Sequence, residues 1–95
     1  MIPSINDTVK FNDAWINSPN SSQLFERCKG KIFKVSNVIF NHRIRSAPSY
    51  YHINFENSYV SIDLNEDGLY YNSFGDLLNI FPLEILSERD YNNKG

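Results

Sequence analysis

Between residues 50 and 68 the chain reads Tyr50-Tyr51-His52-Ile53-Asn54-Phe55-Glu56-Asn57-Ser58-Tyr59-Val60-Ser61-Ile62-Asp63-Leu64-Asn65-Glu66-Asp67-Gly68. Tyr51, Ile53 and Phe55 alternate with Tyr50, His52, Asn54 and Glu56; Val60, Ile62 and Leu64 alternate with Tyr59, Ser61 and Asp63. A period of two predicts half-buried strands, because successive side chains leave opposite faces of a pleated backbone. Asn65-Glu66-Asp67-Gly68 then predicts a hairpin turn, with glycine where a positive φ is wanted, and Leu69 with Tyr71 begins a returning strand.

The same period runs upstream. From Lys31, residues Phe33, Val35 and Ile39 fall on one face and Ile32, Val38 and Phe40 on the other, which predicts one long strand with a bend or bulge near Ser36-Asn37. His42 to Ser49 reads as a loop ended by Pro48, and Val9 with Phe11 marks a first short strand over Asp7-Thr8-Val9-Lys10-Phe11. Ser18-Pro19 has the form of a helix start, a capping hydroxyl before a proline that needs no amide donor. That helix is expected to carry Leu24, Phe25 and Cys28 on one stripe and to stop at Gly30. Downstream, Phe81-Pro82-Leu83 predicts a tight turn and Ile85-Leu86 a last short strand; Asp90 to Gly95 is polar and expected to fray. No internal repeat or linker is evident.

Composition agrees with sheet. The 95 residues are one domain's length, and 41% hydrophobic content with 15% aromatics belongs to a globular chain. Alanine occurs only at Ala14 and Ala47, while Ile, Leu, Phe, Tyr and Val dominate the apolar set. β-branched and ring side chains lose rotamer freedom in helices and pack well on pleated surfaces. The single cysteine, Cys28, has no internal partner and gives no sign of secretion. The first residues lack the basic-then-apolar order of a signal peptide, and no apolar run reaches the roughly 18 residues of a membrane span. A cytoplasmic protein without membrane contact is expected.

Five to six short strands, one short inserted helix and a terminal proline turn describe a mainly β domain built as a small barrel, occupying residues 1–95 as one unit. The order of Asp7-Thr8-Val9-Lys10-Phe11, Gly30-Lys31-Ile32-Phe33-Lys34-Val35, the strand at 50–55 and Phe81-Pro82-Leu83-Glu84-Ile85-Leu86 resembles the SH3-like barrel proteins. In that family the chain often ends with a proline turn and a strand that pairs back to the first. The heavy use of Asn, Ile, Ser and Tyr is similar to the small accessory proteins of tailed bacteriophages, several of which have SH3-like barrels. The helix between the first two strands departs from the usual barrel. The resemblance implies a phage-encoded protein working in a bacterial host cell.

Charge is segregated along the chain. Residues 27–45 carry Arg27, Lys29, Lys31, Lys34, Arg43 and Arg45 and no acid, while residues 46–95 carry eight acids against Arg89 and Lys94. Lys29, Lys31, Lys34, His42, Arg43 and Arg45 among Phe33, Phe40, Tyr50 and Tyr51 have the composition of a nucleic-acid surface, since cations steer phosphates and exposed rings stack on bases. An isoelectric point near 5.5 argues against that use. The other candidate surface is tyrosine-rich. Tyr50, Tyr59 and Tyr70 are expected to point outward and, with Phe74, Asp76 and Trp15, to form a protein-docking patch with an acidic rim.

Catalytic and cofactor sites are not legible. Asp63-x-Asn65-x-Asp67-Gly68 matches the first half of a calcium loop, but its twelfth position is Phe74 instead of a bidentate glutamate. The oxygens are better explained as turn residues bonding their own backbone. Cys28 with His42 or His52 lacks the third group that would orient a thiol nucleophile, and one cysteine with two histidines gives no zinc spacing. The expectation is therefore a non-enzymatic, macromolecule-binding protein with no metal, cofactor or small-molecule substrate. It modulates a host or viral protein; the alternatives are a nucleic-acid module using residues 29–45 and a minor virion component.

Overall fold

Strand β1 (Thr8–Phe11) turns Val9 and Phe11 into the core, and the chain then makes two single-turn helices before a long second strand. The computed structural model describes residues 1–19, 21–42 and 48–87. Helix α1 (Asp13–Ile16) is capped by Asn12, whose side chain accepts from the Ala14 N–H at 2.9 Å. Helix α2 (Gln23–Glu26) follows Ser22. Neither is long enough to persist in water alone. Burial of Trp15, Ile16 and Phe25 holds them against the sheet.

This corrects the expected single helix from Ser18-Pro19 to Gly30. The Ser18 N–H and Oγ both donate to the Trp15 carbonyl, and Ser21 Oγ donates to the carbonyls of Ile16 and Ser18. These hydroxyls close a turn after α1 instead of opening a helix. Leu24, assigned to the buried stripe, is exposed, whereas Phe25 and Cys28 are buried.

The sheet is built on β2 (Ile32–Asn41), which pairs antiparallel with β1 through residues 32–34 and with β3 (Tyr50–Phe55) through residues 35–41. The register shifts between Val35 and Asn37, so Ser36 is the extra residue of a bulge where β2 passes from one ladder to the other. The bulge also resets the alternation. Val38, expected on the face of Ile32, packs against the core with Phe33 and Val35, while Ile32 and Ile39 are exposed. Strand β4 (Ser61–Leu64) pairs with β3, placing Ile53 opposite Ile62, and β5 (Leu83–Ile85) pairs back onto β1 after Pro82.

The strand order is β4-β3-β2-β1-β5, one open antiparallel sheet of five strands. Closure was the expectation from sequence; β4 and β5 instead stand at the two ends of the order. With four and three residues they are short, and the β4 edge is met by a bridge from Tyr70 to Leu64. The returning strand expected at Leu69 and Tyr71 is reduced to isolated bridges at Tyr70 and Tyr71.

An aromatic cluster fills the centre. Phe11 of β1 meets Phe55 of β3 edge-on at 5.6 Å, so rings from non-adjacent strands touch across the core. Trp15 is fully buried, stacked on Phe11 and edge-on to Phe25 and Tyr70. Its indole Nε1 has no hydrogen-bond partner among the described residues, at a cost of about 1–3 kcal/mol that the ring burial has to offset.

A local repetition absent from the sequence reading joins β4 to the rest. In the turn at 65–68, Asn65 Oδ1 accepts from the N–H groups of Asp67 and Leu69, each at 2.9 Å, and the Gly68 N–H donates to the Asn65 carbonyl. Seven residues on, Asn72 Oδ1 accepts from Phe74 and Asp76 at 3.0 and 2.9 Å, and the Gly75 N–H donates to the Asn72 carbonyl. Gly68 and Gly75 have φ of 85° and 84°, the left-handed region that glycine occupies without a Cβ penalty. The two Asn-x-x-Gly turns are thus the same device used twice.

Candidate interaction surface

The second of these turns stands beside the outer face of β3 and β4. Outward side chains there come from Tyr50 and His52 on β3 and from Asp63 on β4, the residues that alternate with buried Ile53, Ile62 and Leu64. His52 and Asp63 are direct cross-strand neighbours, and His52 Nδ1 lies 2.6 Å from Asp63 Oδ1. Between this face and the 72–75 turn is an open pocket of about 250 Å³, whose walls include Pro48, Tyr50, Asp63, Tyr71 and Asn72. A second depression, of about 320 Å³, shares Asp63, Tyr71, Asn72 and Ser73 and reaches Leu24 and Phe25 of α2. Residues 71–73 therefore line both hollows.

Phe74 crowns the turn. The residue is 88% exposed while its backbone N–H is tied to Asn72 Oδ1, so a large apolar ring is held out by an ordered backbone. Asp76 is exposed on the same turn. Tyr50 reaches this region from the start of β3. Of these three candidates from the sequence, Tyr50 walls the pocket, and Phe74 and Asp76 belong to the turn on its other side.

Tyr59 and Tyr70 do not join them. Tyr59 is 79% exposed but sits at the far end of β4 from the turns. Tyr70, expected to point outward, is half-buried with its ring 4.9 Å from Trp15 and 6.2 Å from Phe25. Burial raises its phenol pKa, and the nearby negative charge of Asp63 adds to the shift. Trp15, placed in the docking patch from sequence, has no exposed surface and belongs to the core. Both corrections share a cause: α1 brings Trp15 under the β4 edge, where Tyr70 closes over it.

The basic candidates are spread out. Lys29 and Lys31 precede β2, Lys34 lies near its start, and His42 follows its end. Ten residues of strand rise about 33 Å, less the bend at the bulge. Lys34 Nζ is 4.0 Å from Glu56, Lys29 Nζ donates to Asn17 Oδ1 at 3.4 Å, and His42 Nδ1 is 3.4 Å from Ser49 Oγ. Arg43 and Arg45 lie outside the described residues, as does the expected frayed tail from Asp90 to Gly95.

Of the groups weighed for chemistry, Cys28 is buried, and burial pushes its thiol pKa up against a smaller lowering by Lys31. A protonated, covered thiol is a poor nucleophile. Among the described residues no three His, Cys, Asp or Glu side chains gather as a metal would need, and no helix is long and apolar enough to cross a membrane. Sequence reasoning missed Pro48, Tyr71 and Asn72 as surface residues, although the second Asn-x-x-Gly was there to be read. Comparison with protein-family models, with curated proteins and with solved structures finds no match to the chain.

Proposed function

We propose that this chain is an SH3-like barrel domain that acts by binding a protein and performs no chemistry of its own. Two features of the sheet support the fold assignment: β5 pairs back onto β1 after the proline turn, and bent β2 is shared by two ladders. The observation that carries the binding role is Phe74, 88% exposed at the tip of an asparagine-tied turn, next to a pocket walled by Tyr50, Asp63 and Tyr71. An exposed aromatic anchor at a concave, partly polar site is the usual centre of a protein interface, where a few such residues carry most of the affinity. From its likeness to the small accessory proteins of tailed bacteriophages, we propose further that the domain is phage-encoded, works in the host cytoplasm, and modulates a host or viral protein by occupying its surface.

Affinity capture from nuclease-treated bacterial lysate tests this, using the parent chain, Phe74→Ala, and a variant with Lys31 and Lys34 changed to glutamine. The expected result is a specific protein retained by the parent and by the lysine variant and lost with Phe74→Ala. Capture that ignores Phe74→Ala, together with salt-steep nucleic-acid binding that the lysine variant weakens, would replace this reading with the nucleic-acid one.

A further inference from the structure

The pocket beside Phe74 has a chemistry of its own. Its walls include two tyrosines, Tyr50 and Tyr71, and one acid, Asp63. At about 250 Å³ it falls below the roughly 300–1,000 Å³ of small-molecule sites and is the size for a single side chain. Aromatic faces carry negative quadrupole density and attract a cation placed over them, and an adjacent carboxylate adds a full opposing charge.

The surroundings act in the same direction. Asp76, on the turn that forms the other wall, adds a second carboxylate, whereas Glu56 and Glu84 pair with Lys34 and Lys10 elsewhere on the sheet. Asp63 is also held in place: His52 Nδ1 engages its Oδ1 at 2.6 Å from the facing strand, and Oδ2 is the group's second acceptor. A carboxylate fixed on a strand gives up little side-chain entropy on meeting a ligand. The Asn72 side chain fixes the opposite wall by tying the 72–75 turn.

We infer that this pocket receives one cationic side chain, a lysine or arginine, from the protein partner, with Tyr50 and Tyr71 as aromatic walls and Asp63 as the counter-charge. The inference rests on the docking role proposed above and narrows the partner to one whose contact segment is basic. Phe74 supplies the apolar contact beside it, and Asp76 on the same turn adds to the negative charge that steers the approach.

The test is an NMR titration of the isotope-labelled chain with the blocked single residues Nα-acetyl-lysine methylamide and Nα-acetyl-arginine methylamide, and with the norleucine analogue as a neutral isostere. The cationic probes are expected to give saturable shifts confined to Asp63 and residues 71–75, with the isostere binding about tenfold more weakly. Asp63→Asn and Tyr71→Ala should each remove most of the cation preference. Tyr71→Phe, which keeps the ring, should retain it and so separates a lost wall from a disturbed fold. Equal binding of the isostere, shifts scattered away from the pocket, or no saturable shift would overturn the inference. If Phe74-dependent capture persists in that case, the docking role stands without the cation pocket. If the probes bind as expected but capture ignores Phe74→Ala, the pocket stands and the docking role falls.

Discussion

His52 Nδ1 and Asp63 Oδ1 face each other at 2.6 Å across the β3–β4 ladder, joining the outer face of the sheet to the wall of the proposed pocket. Both side chains keep part of their surface in water, with 34% and 44% exposed. A polar cross-strand pair in that setting contributes little to folding because solvent screens it. Asp63→Asn is therefore expected to change unfolding free energy by less than about 1 kcal/mol in urea titration. A loss of several kcal/mol would mean that the pair is a structural tie, and the pocket variant would need another design.

The core opposite that face is a different matter. Ile53 and Ile62 are buried and paired across the same two strands. Ile53→Ala and Ile62→Ala should each cost about 2–5 kcal/mol, and the double variant should cost less than their sum because one cavity is shared. Denaturation curves indistinguishable from the parent would show that the opposite faces lie inside.

The paired glycine turns make a controlled comparison. A Cβ at Gly75 meets nothing within 4 Å, so Gly75→Ala faces only the left-handed backbone cost of about 1–2 kcal/mol. A Cβ at Gly68 would collide with the Met1 nitrogen, whose amine donates to the Asp67 carbonyl at 3.1 Å. Gly68→Ala should therefore be the more destabilising of the two and should shift the Met1 and Ile2 resonances. Equal costs would argue that the amino-terminal residues are not packed on that turn.

Alkaline pH should weaken the fold. Cys28 and Tyr70 both have pKa values raised by burial above their ordinary values of 9.0 and 10.0, so the folded state holds protons that the unfolded chain releases. For a raised pKa the stabilisation is complete below the unfolded value and is lost as pH climbs through the folded one. Stability measured by urea should fall from about pH 9 upward. A Cys28→Ala, Tyr70→Phe double variant, although less stable at neutral pH, should show a flatter decline. An unchanged slope would place the alkaline sensitivity elsewhere.

Calcium should have no effect on melting. Asn65 Oδ1, the oxygen that a loop reading would assign to the ion, already accepts two backbone N–H groups. Thermal melts in millimolar calcium and in EDTA are expected to coincide; a shift of several degrees between them would revive the calcium loop.

The sequence made the strands legible because their faces differ in burial. Ile53, Phe55, Ile62 and Leu64 are buried where period two put them, and the bulge near Ser36-Asn37 was visible as two apolar phases that one straight strand cannot serve. The phase after the bulge was not visible, since Val38 and Ile39 are equally apolar and only the partner strand decides which turns inward. Trp15 and Tyr70 were misplaced for a related reason. Each suits an interface as well as a core, and their edge-on contact at 4.9 Å joins residues 55 positions apart, beyond the reach of any local pattern. Phe74 and Asp76 were found as surface candidates, while the turn that presents them went unread because two Asn-x-x-Gly matches look like ordinary loop composition.

The asparagine-tied turn separates what holds a loop's shape from what the loop displays. Asn72 accepts the hydrogen bonds and Gly75 takes the left-handed backbone, so the identities of Ser73 and Phe74 are not needed to keep the path of the chain. A lineage whose target drifts can retool its contact by changing those two positions while the buried framework stays under its own, separate selection. The same division makes residues 73 and 74 the natural place to randomise in a library that seeks new targets for this scaffold.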